Sequence, residues 1–195
     1  NYLMPHIPEG KDIKEGIVKG IYKFSPSDKK NAKMKVNLFG SGTIMNEVLK
    51  AKEILEEDYK VAVDVWSVTS YKELRRDAVE VERWNLLNPL EKQKTPFISK
   101  ALKGSEGIFV AASDYVKALP DSVSKWIPGR LISLGTDGFG RSEGRKELRD
   151  FFEVDAKHIV FAALVGLLKE EKVKQTVLEK AAKELGINPG KHNPH

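Results

Sequence analysis

Four short runs dominated by β-branched and other apolar residues set the fold: Lys33–Phe39, Tyr59–Val68, Gly107–Ala112 and Arg130–Leu134. Between them lie segments with apolar residues at helical spacing. The clearest runs from Ile44 to Glu57, where Ile44, Val48, Ala51, Ile54 and Leu55 share one face. Strands that are apolar on both faces need cover on both faces, and strand–helix alternation supplies it. The spacing therefore predicts an α/β fold: a three-layer, mostly parallel open sheet of about five strands, with helices on both faces. The fifth strand is expected over Gly16–Phe24, whose apolar–polar alternation suits a half-exposed, antiparallel edge.

Further helices are expected over Ser70–Arg83, Pro96–Leu102, Asp114–Trp126 with a break at Pro120, Glu143–Phe152, Asp155–Lys169 and Lys174–Leu185. Pro5, Pro8 and Gly10 mark residues 1–14 as a linker arm, and Ser25–Ala32 is a polar turn. Residues 15–195 then form one domain, a size that can bury its core without staples.

Composition excludes several classes of function. The 195 residues contain no cysteine, which removes disulfides, thiolate metal sites and a cysteine nucleophile. The net charge of +5 comes from 33 basic and 28 acidic residues, interleaved as in Lys169-Glu170-Glu171-Lys172. A phosphate track needs a basic block, so nucleic acid is not an expected partner. The longest apolar run, Ile159–Leu168, is too short for a bilayer, so a membrane is not expected either.

Few residues suggest chemistry. Gly40-Ser41-Gly42-Thr43 joins a strand to a helix, where backbone N–H groups could hold a phosphate, and Asp64 follows near the interval of a ribose-binding acid. The third glycine of that motif is missing, so a tight turn with a Ser or Thr cap competes with a nucleotide module. His158 has no second histidine at helical spacing, and the tail pair His192 and His195 gives no metal set. Trp66 reads as core. Glu82, Arg83, Trp84 and Asn85 form a dense polar–aromatic cluster that suits either an interface or a charged helix end. The glycine-rich run Leu134–Ser142 lies between a strand and a helix, where loops carry function. Within it Asp137 and Arg141 either brace the turn as an ion pair or face a partner.

Several motifs occur in order: Ser67-Val68-Thr69-Ser70, Arg76-Asp77, Glu82-Arg83-Trp84-Asn85, Pro89-Leu90-Glu91, Ala112-Ser113-Asp114-Tyr115 and Gly135-Thr136-Asp137-Gly138-Phe139-Gly140-Arg141-Ser142. Together they resemble the C-terminal region of the homodimeric, thiamine-diphosphate-dependent pyruvate dehydrogenase family. The likeness runs over nearly the whole chain.

The resemblance implies a transketolase C-terminal-like domain, cytoplasmic, from an oxidoreductase that decarboxylates pyruvate and passes acetyl to lipoyl groups. It also implies that thiamine diphosphate and magnesium bind domains outside this chain, so no catalytic, cofactor or metal residue is carried over and the isolated chain is expected to be inactive. The expected role is assembly. The implied partners are the other domains of the same polypeptide, a second subunit and the dihydrolipoyl acetyltransferase core, with docking onto that core a further alternative role. Asp137, Phe139, Arg141 and Ser142, with Glu82, Arg83, Trp84 and Asn85, are the interface candidates.

Overall fold

The computed structural model describes residues 3–29 and 32–194. Asn1 and Tyr2 of the arm, Lys30 and Asn31 within the expected Ser25–Ala32 turn, and His195 of the tail pair lie outside them.

Five strands form one sheet: β1 (Ile21–Ser25), β2 (Lys35–Gly40), β3 (Ala62–Val68), β4 (Ile108–Ala112) and β5 (Leu131–Leu134). Their order is β1-β3-β2-β4-β5, with β1 antiparallel to β3 and the other pairs parallel. This is the expected sheet, with its one antiparallel edge strand.

Strand alternation sorts the apolar residues into two cores. Val36 and Leu38 of β2, Val63 and Val65 of β3, and Ile108 and Val110 of β4 pack beneath α2 (Met45–Glu57) and α7 (Ala156–Lys169). Phe39, Trp66, Phe109 and Ala111, taken from the same strands, point the other way. They meet α3 (Tyr71–Leu87), α4 (Phe97–Ala101) and the segment holding Val123 and Ile127. Trp66 is core, as its surroundings predict, and its Nε1 donates to Asn37 Oδ1 across 3.1 Å.

Besides α3, which runs four residues past the expected Arg83 to Leu87, two expected elements differ. Residues 16–19 belong to a helix, α1 (Lys11–Lys19), so the edge strand begins only at Ile21 and the last residues of the arm are helical. The helix stops because Gly20 takes φ 109, a conformation that favours glycine. The Gly20 carbonyl then accepts Thr69 N and Ser70 N, fastening the turn to the end of β3. The second difference is at Asp114–Trp126. Only α5 (Ala118–Asp121) and a 3₁₀ turn at Ser124–Trp126 form there. Pro120 has no N–H and tolerates a helix only in the first turn, so a helix begun at Asp114 is blocked.

The remaining helices are α6 (Arg145–Phe151) and α8 (Gln175–Glu184), within two residues of expectation. No helix among the described residues is long and apolar enough to cross a membrane.

Candidate functional site

The C-terminal ends of β2, β4 and β5 bring three loops together: Ser41–Thr43, Ser113–Lys117 and Gly135–Gly144. The third is the glycine-rich loop, and it is tied to the second. Thr136 N donates to Tyr115 O at 2.8 Å, and Lys117 N donates to Asp137 Oδ1 at 2.9 Å. Lys117 Nζ lies 3.4 Å from Asp137 Oδ2. Gly135 is required by this closeness, since a Cβ there would sit 2.5 Å from Tyr115 O.

Lys117 thus braces the loop through an ion pair with Asp137. Arg141, the expected partner, instead stands 5.2 Å from the Phe151 ring centroid, a cation–π distance. Phe139 is 93% exposed, and Ser142 is also exposed. With the partly exposed Tyr115, Val116 and Leu119 nearby, Phe139 gives this end of the sheet an apolar rim.

The second cluster lies elsewhere. α3 runs back from the end of β3, placing Glu82–Asn85 roughly 16–21 Å along its axis from Tyr71. The two clusters therefore do not share the C-terminal edge, because a helix following a strand returns antiparallel to it. Most of the second cluster works within the fold. Glu82 Oε1 accepts from Lys125 Nζ at 2.7 Å and Trp126 Nε1 at 2.9 Å. The Lys125 ammonium holds the Glu82 carboxyl below its ordinary range. Asn85 receives Lys94 N at 2.8 Å and donates to Lys94 O at 2.9 Å, clasping the loop after α3. Lys94 Nζ also sits 3.8 Å from the Trp84 centroid. Arg83 is exposed beside Leu86 and Leu87.

The nucleotide reading loses its geometry. Asp64 pairs in register with Asn37, three residues before the end of β2, and forms an ion pair with Lys23. Ser41 makes no helix cap; its Oγ donates to Val68 O at 3.0 Å. A ribose acid and a phosphate turn do not converge.

His158 is fixed in a structural cluster. Asp155 caps α7 by accepting His158 N at 3.2 Å, and His158 Nδ1 lies 2.6 Å from Asp155 Oδ1. Ligand-type atoms of Asp150, Asp155 and His158 lie within 4.8 Å of one another. Lys157 and Lys191 both pair with Asp150, however, so ammonium groups already serve that carboxylate.

One important residue escapes the sequence reading. Glu47 is buried on α2, receiving Arg149 Nη1 at 2.9 Å, Ala156 N at 3.1 Å and Lys50 Nζ at 3.2 Å. Its signal was position: Glu47 falls within the apolar stripe of Ile44, Val48 and Ala51, where a charge needs partners.

Residues 20–155 match the family described as the transketolase-like TK C-terminal domain. The chain belongs to this family. Over all 195 residues it is 45% identical to the pyruvate dehydrogenase E1 component of Pseudomonas aeruginosa, covering 22% of that protein. It is also 45% identical to the E1 component of Escherichia coli K12, covering 21% of it. The chain thus spans about a fifth of the length of these curated relatives. Among solved structures, a transketolase from Pichia stipitis aligns with TM-score 0.55 and 15% identity, over 86% of this chain and 20% of the other. One from Leishmania mexicana aligns with TM-score 0.52 and 15% identity, over 80% and 19%. At that identity the likeness speaks to the transketolase C-terminal fold alone.

Proposed function

We propose that this chain is a noncatalytic C-terminal domain of a thiamine-diphosphate-dependent pyruvate dehydrogenase. The whole enzyme would oxidatively decarboxylate pyruvate in the cytoplasm and pass the acetyl group to lipoyl groups of its acyltransferase component. The observation that carries this reading is the 45% identity to E1 components along the entire chain.

The described residues do not fit the cofactor's metal. A magnesium-bridged diphosphate needs convergent oxygen ligands, and the carboxylates that converge here, Asp150 and Asp155, share their site with the Lys157 and Lys191 ammonium groups. Thiamine diphosphate and magnesium are therefore assigned to parts of the enzyme outside this chain, and no chemical step is assigned within it. What the domain offers is surface. Phe139, Arg141, Ser142 and the Asp137-braced loop would meet a neighbouring domain or the second subunit of a homodimer. Exposed Arg83 and the Glu82, Trp84 and Asn85 scaffold would form a second contact.

The test is made on the full-length polypeptide. Pyruvate decarboxylation dependent on thiamine diphosphate is expected from it, and none from residues 1–195 alone; a full-length protein inert toward pyruvate overturns the reading. Replacing Phe139 and Asp137 with alanine should weaken the dimer or slow turnover. If both stay unchanged, the loop is not an assembly surface.

A further inference from the structure

The connections after β2 and β4 leave the sheet on opposite faces. The first leads to α2, in the core beneath α7, and the second leads past Val123 and Ile127 in the other core. β2 and β4 are adjacent and parallel, so their C-terminal ends diverge into a crevice. Open α/β sheets bind ligands at such divergence points. Beside it lies a cleft of about 280 Å³, walled by Thr43 after β2, Asp114 after β4, Thr136 after β5, and α6.

The charge in this cleft is concentrated. Arg145 and Arg149 both line it, one helical turn apart on α6, and Arg141 enters from the glycine-rich loop. Like charges at that spacing repel each other. Glu47 engages Arg149 Nη1, while Arg149 Nη2 reaches toward Thr43 Oγ1 at 3.5 Å. The Phe151 ring steadies Arg141 at cation–π distance. The fold thus holds three guanidinium groups around a space whose lining includes two hydroxyls and one carboxylate.

We infer that this cleft binds a small hydroxylated phosphate ester. Guanidinium groups present paired donors that match phosphate oxygens. Thr43 and Thr136 add neutral hydrogen-bonding groups, and Asp114 supplies an acceptor for a hydroxyl on the same ligand. Pockets for drug-sized molecules run from roughly 300 to 1,000 Å³, so this cleft of about 280 Å³ suits a small ester. The inference goes beyond the proposed enzyme reading and does not depend on it.

Calorimetric titration of the protein as isolated, with thiamine diphosphate present in excess so that any diphosphate site is occupied, tests this with glycerol 3-phosphate as probe. One saturable site per chain is expected. Arg145→Ala and Arg145→Gln should each weaken it at least tenfold, with sedimentation confirming that both variants keep the parent's oligomeric state. Arg145 is exposed at the start of α6, so its variants should fold. No saturable binding, or affinity unchanged in both variants, overturns the proposal. A parallel titration with glycerate separates the anions: binding of glycerate in place of the ester overturns the phosphate assignment. Turnover of pyruvate is not read, so the result stands apart from the enzyme assignment.

Discussion

Glu47 and Arg149, 102 residues apart in the chain, meet at 2.9 Å with both side chains largely withdrawn from water. The contact joins the first turn of α2 to α6, and Glu47 also receives the Ala156 N–H at the start of α7. One carboxylate therefore positions three helices.

Neutralising it should be costly. Removing one member of a buried pair strands the other, at about 3–5 kcal/mol. Glu47→Gln retains an acceptor for Ala156 N, so the lower end, about 3 kcal/mol, is expected from urea unfolding. A loss under about 1 kcal/mol would show that water already screens the pair.

Tyr71 offers the opposite sign. Its hydroxyl is buried with no partner of good hydrogen-bond geometry among the described residues, since the neighbouring Ser41 hydroxyl donates to Val68 O and offsets the burial of the phenol only in part. Burial also pushes the phenol's pKa upward. An unsatisfied buried hydroxyl costs about 1–3 kcal/mol, so Tyr71→Phe should stabilise the domain by about 1 kcal/mol in the same assay. Destabilisation would reveal a partner for the hydroxyl.

Acid should loosen the far end of α6. The Lys157 hydrogen bond is the main cause that holds the Asp150 carboxyl below its ordinary 3.8. A carboxyl depressed on folding contributes stability above its unfolded pKa and loses it as pH falls through the folded value. The melting-temperature difference between the parent and Asp150→Asn should therefore be steady from pH 5 upward and shrink below about pH 4. A difference unchanged down to pH 2 would contradict the ion pair.

Gly135→Ala tests the loop clasp. The new methyl would press on Tyr115 O, which already accepts Thr136 N. A loss of about 1–3 kcal/mol is expected, with faster amide exchange at Thr136 and Lys117. Unchanged exchange at those two amides would mean the loops are not joined there.

The legible parts of the fold were those where one physical signal dominates. β3 and β4 are covered on both faces, so their β-branched runs leave no alternative. At Gly16–Phe24, by contrast, a helix and a strand share one short stretch. The alternation seen there was real only from Ile21, and Ile13, Gly16 and Ile17 carried a helical spacing before the Gly20 stop. The glycines made the Leu134–Ser142 loop conspicuous, but its bracing partner, Lys117, is 20 residues away and no local pattern links the two. The arginine cleft was equally hidden: Thr43, Asp114 and Arg145 look like ordinary surface residues until the sheet order places their loops side by side.

The two cores draw alternate residues from the same strands, and on the Phe39 face Asn37 is pinned by Trp66 Nε1, from which it accepts, and by Glu106 O, to which it donates at 2.9 Å. Parity thus becomes a heritable property of β2, β3 and β4. Their apolar residues can be exchanged for others of similar size, but gaining or losing a single codon inside a strand would swap the two cores' contents at once. Length variation in descendants of this chain should accordingly be confined to the loops, and sequence drift should proceed by substitution within the sheet.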